Sequence, residues 1–364
     1  MKILICRRGW SPSGGAERFI GRFAEGLNEI GIEPVLIADS RWPEDQWKFG
    51  KIERVASEGP RGFAREVISV KKRHPGAVLF SMERVPGADV YRAGDGLHSS
   101  WLQRLESEQG FVAGWLRRIK KNHREILSLE REMLKDSDLR IICNSKMVAD
   151  ELLHRYHFSD DRIAVIHNGY DPKPIDGAAI RLRRENLRNK LQIPETATVF
   201  LFVGTGWKRK GAQILIHAFH QLKNPNAWLL LVGKGSAMDM SHPRIRHVGV
   251  IKDPTDFYLA SDIFVLPTLY DPFSNACLEA ASYGMPVITS DGNGFREVIN
   301  VWPEAGQIVP LPRRSELWRD ALDRWMEPEI RQKAGQSLAC IPKQYTIAKN
   351  VQKTIDFLNG KFHS

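Results

Sequence analysis

Short apolar runs that alternate with helical stretches, and a second half that repeats the grammar of the first, predict an α/β chain of two doubly wound parallel-sheet domains. Length agrees, because 364 residues exceed one ordinary core and fit about two domains of roughly 150 residues each. A hydrophobic content of 42% with 26% charged residues places the chain among globular proteins and excludes wholesale disorder. Two domains facing each other enclose a cleft, and a ligand is expected there.

The first run, KILIC (2–6), reads as a buried strand. The loop RRGWSPSGGAE follows it, after which Phe19, Ile20, Phe23 and Leu27 recur at helical spacing. EPVLIAD (33–39), AVLFS (77–81) and LRIICNS (139–145) read as further strands with mainly helical material between them. Beyond RIAVIHNGYDPKP the apolar periodicity lapses, and the charged helix RLRRENLRNKL leads into a new start at TVFLFVGTGWKRKG. The expected division is therefore a domain over 1–170, a linker over 171–194 and a second domain over 195–342. In that second domain TVFLFVG, AWLLLVG, the stretch around RHVG, IFVLP and PVITS read as strands and AQILIHAFHQL as a helix. Residues 343–364 form a terminal helix with Ile347, Val351, Ile355 and Leu358 in a stripe, expected to cross back to the first domain.

No apolar run approaches the ~20 residues of a spanning helix, and Met1 leads directly into KILIC, so a cytoplasmic protein is expected. Cys6, Cys143, Cys277 and Cys340 lie far apart without CxxC pairs or interleaved histidines, which reads as four buried thiols and no zinc site. A net charge of +10 favours an anionic partner: nucleotide phosphates, nucleic acid or an acidic lipid surface. Residues 115–134 are basic, with Trp115, Leu116, Ile119, Ile126, Leu127 and Met133 on one helical face. Such a helix lies either on an anionic membrane or over its own domain.

Open α/β sheets bind ligands in the loops at the carboxyl ends of their strands. After the first strand, Gly14 and Gly15 leave the backbone uncovered at a helix start, where a phosphate or a sugar can approach; the alternative is a plain tight turn. After TVFLFVG come Gly204, Gly206, Trp207, Lys208, Arg209, Lys210 and Gly211, again before a helix. Three consecutive cations beside free amides suit a diphosphate, with a solvated charge run as the alternative. Neither GxxxxGK[ST] nor the GxGxxG spacing is present, which argues against kinase and dehydrogenase chemistry. In IFVLPTLYDPFSNACLEAASYGMPVITS, Asp271 and Glu279 stand eight positions apart, one in a loop and one on a helix. Carboxylates accept hydrogen bonds from vicinal hydroxyls, so the pair suits a sugar ring and a ribose. An ordinary turn aspartate and a first-turn helix glutamate are the plainer alternatives.

The pattern P-x(3)-D-x(7)-EA-x(3)-G-x-PVI resembles the E-x(7)-E signature of the retaining glycosyltransferases of family 4. The likeness extends through SGGAE, CNSK, HNGYD, KRKG and DGNGFREVI and so covers most of the chain. It implies the GT-B architecture, two Rossmann-like domains facing a cleft, with the acceptor on the first and the nucleotide-sugar on the second. It assigns the donor hexose to Asp271, one methylene shorter than the usual glutamate, and the ribose to Glu279. The family's arginine after VG is replaced by Thr205, so the diphosphate falls to Arg209 and Lys210, as in the RKG pattern of bacterial lipopolysaccharide core glucosyltransferases. The donor set further includes Gly14, Gly15, Gly204, Phe273, Ser274, Asn275, Gly292, Asn293 and Gly294. In YRAGDGLHSSW the resemblance implies an acceptor-side polar residue at the reacting centre, Asp95 or His98.

The likeness implies transfer of a hexose, glucose foremost, from a UDP-sugar to a glycan or lipid-linked acceptor, in lipopolysaccharide core or cell-envelope glycan synthesis. Attack is expected on the front face, with the leaving diphosphate helping to accept the proton. No metal is expected, since no DxD follows an apolar strand, and no cofactor beyond the co-substrate. The same likeness inclines the helix 115–134 toward the inner face of the cell membrane. Rival readings are a GT-B sugar-nucleotide epimerase or phosphorylase, and a basic nucleic-acid-binding protein. The last requires cations interleaved with exposed aromatics, whereas the strongest cluster here sits in a strand-to-helix loop, so no nucleic-acid partner is expected.

Overall fold

The computed structural model describes residues 1–12, 14–56, 58–109, 120–235, 240–311 and 314–360. The chain forms two compact units, Met1–Gly169 with Ile347–Ser364, and Tyr170–Thr346.

The first unit is built on a parallel sheet of β1 (Ile3–Cys6), β2 (Val35–Ala38), β3 (Ile52–Arg54), β4 (Val78–Ser81), β5 (Val90–Arg92), β6 (Arg140–Cys143) and β7 (Ile163–Val165). Their order is β3-β2-β1-β4-β5-β6-β7. Successive side chains of a strand point to opposite faces, and both faces here are covered. Leu4 and Cys6 pack with Val35, Ile37 and Leu79, whereas Ile3 and Ile5 pack with Leu36, Ala38 and Phe80. Burial on both faces is why the strands read as continuous apolar runs without alternation. β3, β5 and β7 were not among the expected strands: each has only three residues, and polar neighbours interrupt its run.

The helix Ile347–Leu358 belongs to this first unit and packs along the helix Gly15–Glu29. Its end is fixed by Arg140, whose Nη1 donates to the carbonyl of Phe357 at 2.8 Å, and its start by Asn350 Nδ2, which donates to the carbonyl of His167 at 2.6 Å. The two helices approach most closely at Gly26, where a Cβ would lie 2.8 Å from Val351 Cγ2 and 3.0 Å from Ile347 Cγ2.

In the second unit β8 (Thr198–Val203), β9 (Ala227–Val232), β10 (Ile245–His247), β11 (Ile263–Leu266), β12 (Val287–Ser290) and β13 (Gly306–Val309) form a parallel sheet in the order β10-β9-β8-β11-β12-β13. The chain winds outward from β8 to β10 and then returns to β11 on the other side of β8, so the winding reverses between β8 and β11. Loops at such a reversal diverge and leave room for a ligand. The residues 171–194, expected as a linker, are instead part of this unit. Asp176 caps the helix Gly177–Lys190 by accepting from the amides of Ala178 and Ala179, and buried Arg188 pairs with Asp262 at 2.8 Å. The charged appearance of this helix thus hides an anchoring ion pair. Cys6, Cys143 and Cys277 are buried, but Cys340 is exposed, which corrects the expectation of four buried thiols. No described helix is long and apolar enough to cross a membrane.

Glycine and valine differ little in helix propensity, so Gly26→Val tests the packing of the terminal helix directly. Overpacking against Val351 and Ile347 is expected to destabilise the protein by about 1–3 kcal/mol, read as a lower urea midpoint with the slope unchanged.

Candidate functional site

In the second unit the loops after β8 and β11 bring the predicted cations and the predicted acid together. Lys210 Nζ donates to Asp271 Oδ2 at 3.1 Å, and Arg209 Nη1 stands 3.7 Å from the same oxygen. The Arg209 guanidinium also donates to the carbonyl of Tyr270 at 2.8 Å. Backbone bonds lock the two loops to each other: the amide of Leu269 donates to the carbonyl of Arg209 at 2.8 Å, and Thr268 Oγ1 donates to it at 3.2 Å. Trp207–Lys210 is a single helical turn whose last three residues are the cations, and Lys208 is exposed. Gly211 ends it at φ +81°, where a Cβ would stand 1.9 Å from the carbonyl oxygen of Pro267. Only glycine lets the helix Ala212–His220 start this close to the β11 loop. Gly204 makes room for Lys210 itself, since a Cβ there would meet Lys210 Cδ at 2.7 Å.

The β12 loop closes a third side. The amide of Asp271 donates to the carbonyl of Gly292 at 3.0 Å, and the amide of Gly294 donates to the carbonyl of Asp271 at 2.9 Å. Asn293 is fully buried: its Oδ1 accepts from the amides of Ser274 and Phe295, and its Nδ2 donates to Thr289 Oγ1. Its side chain therefore shapes the loop, and any contact with a ligand comes through backbone. Ser274 Oγ caps the helix Asn275–Ser282 by accepting from the amide of Cys277. Phe273 is buried against Phe295 and Tyr345, so it supports the site from the core. Glu279 lies one turn into that helix, 3% exposed, and accepts from the hydroxyl of Tyr258 at 3.0 Å. Burial pushes the Cys277 thiol up to about 12, so it stays protonated and is no nucleophile at neutral pH.

In the first unit the carboxyl ends of β1, β4 and β5 meet at Arg7. Its guanidinium contacts Glu17 at 3.1 Å, Asp95 at 3.0 Å and Glu83 at 3.6 Å. Burial alone would lower the Arg7 pKa, but the three carboxylates outweigh it and raise it. Glu17 also covers the first glycine loop, because a Cβ on Gly14 would lie 1.7 Å from Glu17 Oε2. A carboxylate of the first turn thus stands beside the start of the helix Gly15–Glu29, the place where a phosphate or a sugar was expected to approach.

His98 opens the helix His98–Gln109, and its amide donates to Glu130 Oε2 at 2.6 Å. Glu130 is buried and further accepts from the amide of Ser99, from Arg84 and from Tyr156. The imidazole of His98 bonds that of His123, Nε2 to Nδ1 at 2.9 Å, one ring donating and the other accepting. Desolvation, then the Arg84 charge and the neighbouring His123, lower its pKa to about 4, only partly countered by Glu130. Among the described residues no cluster of three or more histidine, cysteine or acidic side chains is arranged to hold a metal ion.

The sequence matches the family model Glycosyltransferase Family 4 over residues 13–173 and the model Glycosyl transferases group 1 over residues 183–337. The crystal structure of WaaG, a glycosyltransferase involved in lipopolysaccharide biosynthesis, superposes with a TM-score of 0.83 at 20% identity, covering 98% of this chain and 100% of that one. This chain is a GT-B glycosyltransferase. The lipopolysaccharide glucosyltransferase WaaG of Escherichia coli is 24% identical to it over 342 residues, 88% of each chain. An uncharacterized glycosyltransferase of Methanocaldococcus jannaschii is 29% identical over 191 residues, so the match spans about half of each (49% and 49%). The structure of Anabaena Alr3699/HepE in complex with UDP-glucose shares the fold, with a TM-score of 0.72 at 17% identity over 99% of this chain and all of that one.

Of the residues expected to bind donor in this glycosyltransferase, Gly204, Arg209, Lys210, Asp271, Ser274, Asn275, Glu279, Gly292, Asn293 and Gly294 lie in or directly beside the loops after β8, β11 and β12. Gly14 and Gly15 lie in the first unit, as do Asp95 and His98. Arg7, Glu83, Glu130, His123 and Tyr258 were not anticipated. Arg7 carried a signal, a cation directly after a buried strand, whereas the partners of Glu130 are distant in sequence and only the fold joins them. Helix Lys121–Leu134, part of the proposed membrane stretch, buries Leu129, Glu130, Met133 and Leu134 in its own unit. Trp115, Leu116 and Ile119 lie outside the described residues.

The imidazole of His98 is expected to titrate near pH 4 by NMR, far below an ordinary histidine. The unfolded chain then takes its proton first, so the stability linked to His98 is intact above about pH 6.5 and is lost as pH falls through about 4. His98→Gln should remove that part of the acid sensitivity from thermal unfolding curves.

Proposed function

We propose that the chain transfers glucose from UDP-glucose to a glycan or lipid-linked acceptor of lipopolysaccharide core or related cell-envelope glycan, with retention and without a metal ion or other cofactor. The observation that carries this reading is Asp271 held by Lys210 at 3.1 Å beside Arg209. A diphosphate carries more charge than one carboxylate and is therefore the stronger partner for the two cations. As it takes them over, Asp271 is released to accept hydrogen bonds from the hexose hydroxyls. Glu279, with one oxygen on the Tyr258 hydroxyl, is placed to accept from the ribose. The name of WaaG, a glucosyltransferase, and the UDP-glucose bound by HepE support the choice of donor.

In the reaction the acceptor hydroxyl oxygen bonds to the anomeric carbon as the bond from that carbon to the diphosphate oxygen breaks. The proton passes to the departing diphosphate, and Lys210 and Arg209 stabilise the charge that grows there. On the first unit, Asp95 and the neutral imidazole of His98 are assigned to orienting the acceptor hydroxyl; neutral histidine at pH 7 is able to accept a hydrogen bond.

Calorimetry with UDP and a transfer assay with UDP-glucose and lipopolysaccharide core test the reading, mass analysis separating transfer from epimerisation and phosphorolysis. Glu279→Ala is expected to weaken UDP binding by at least about tenfold, the worth of a charge-assisted hydrogen bond. Unchanged affinity in that variant counts against the ribose assignment. Asp271→Asn is expected to bind UDP several times more tightly, because a competing anion is gone, while its transfer rate falls by about a hundredfold. Weaker UDP binding in Asp271→Asn would overturn the competition between carboxylate and diphosphate.

A further inference from the structure

We infer that the second unit carries an additional binding site, for an organic phosphate, in the cavity of about 590 Å³ beside the helix Gly177–Lys190. Its lining includes Ser261 and Asp262, which precede β11, and Gly284 to Pro286, which precede β12. The cavity therefore lies toward the amino ends of these strands, whereas Asp271 and the Gly292–Gly294 turn follow their carboxyl ends. It is a different edge of the sheet from the loops that carry Lys210 and Asp271, although Tyr258, whose hydroxyl bonds Glu279, is part of its wall.

Charge in the cavity is unbalanced. Lys173, Arg184 and Arg331 face a single acid, Asp262. That acid is already committed, to Arg184 at 2.6 Å, to Arg188 at 2.8 Å and to the amide of Val199 at 2.7 Å. Arg331 donates to the carbonyls of Trp325 at 2.7 Å and Met326 at 2.6 Å. From outside the lining, the charge of Asp253 reaches Lys173 and that of Glu327 reaches Arg331. Desolvation lowers the Arg331 pKa, and the charges of Asp262 and Glu327 offset it only in part.

Two further observations bear on the ligand. Ser261 and Ser282 line the cavity, and their buried hydroxyls have no partner among the described residues. Buried hydroxyls ordinarily find one, so these two donors stand in reserve beside the cations. The remaining wall is largely apolar, with Ile180, Met285 and Pro286, and the volume exceeds what one phosphate fills. Three cations against one acid leave the lining with an excess of two positive charges, which matches a phosphate monoester, and the apolar wall matches a body attached to it.

The test is calorimetry on the full chain in saturating UDP, so that the donor loops are occupied, with phenyl phosphate, glucose 6-phosphate and inorganic phosphate as probes. At least one organic phosphate is expected to bind more tightly than inorganic phosphate. Preference for phenyl phosphate identifies an apolar body and preference for glucose 6-phosphate a sugar; either supports the site. Lys173→Ala, an exposed position, and Arg331→Gln are each expected to weaken binding by about tenfold, while Lys210→Ala leaves it unchanged. Binding that UDP or Lys210→Ala abolishes, that Lys173→Ala does not alter, or that inorganic phosphate matches would overturn the proposal. If UDP itself does not bind, the donor assignment fails, and the Lys173→Ala comparison still decides this one.

Discussion

The contact between Lys210 and Asp271 is the constraint around which the loops of the second unit are arranged. Both side chains are largely withdrawn from solvent, 14% and 10% exposed, so each has given up hydration to make it. At this separation the attraction between unit charges is about 5 kcal/mol in a medium of intermediate polarity, and desolvation offsets much of it. The pair alone is therefore close to neutral in stability. Its persistence comes from the backbone: the β11 loop is bonded to Arg209 on one side and to Gly292 and Gly294 on the other. The loops are held by main chain, and the charges are left available for exchange.

Close approach is what makes this bracing feasible. At Gly211 and at Gly292 an added Cβ would fall 1.9 Å from the Pro267 carbonyl oxygen and 2.6 Å from the Leu269 carbonyl oxygen. Both carbonyls belong to the β11 loop that carries Asp271. Any side chain at either glycine pushes that loop away from its neighbours and lengthens the Lys210–Asp271 contact. Small residues outside the charge pair thus set its distance.

Most of the architecture was legible because both sheets are covered on two faces, which writes their central strands as unbroken apolar runs such as TVFLFVG and AWLLLVG. The short strands Ile52–Arg54 and Gly306–Val309 sit at sheet edges, bury less, and left no such run. Helix Gly177–Lys190 was misread as a linker because its anchor is ionic: hydropathy registers Arg188 as polar, while the fold buries it on Asp262. The loops proposed to bind the donor were legible because a motif is local. Lys210 and Asp271 are 61 residues apart, and each was marked by its own strand-to-loop junction. The cluster of Arg7 with Glu17, Glu83 and Asp95 has no local motif and required the sheet order to assemble it.

The two units place opposite charge balances at the carboxyl ends of their strands. In the second, two cations surround one acid; in the first, three acids surround one buried cation. An anion reaching Arg7 meets the three carboxylates already around it, on which Arg41, Arg84 and Arg92 also act, and Glu17 stands beside the helix start that would otherwise attract it. Hydroxyl groups suffer no such penalty there, since carboxylates accept from them readily. The same arithmetic makes the second arrangement hospitable to a diphosphate. The charge balance is thus in keeping with the roles proposed above for Lys210 and Asp95, without appeal to how the two units meet.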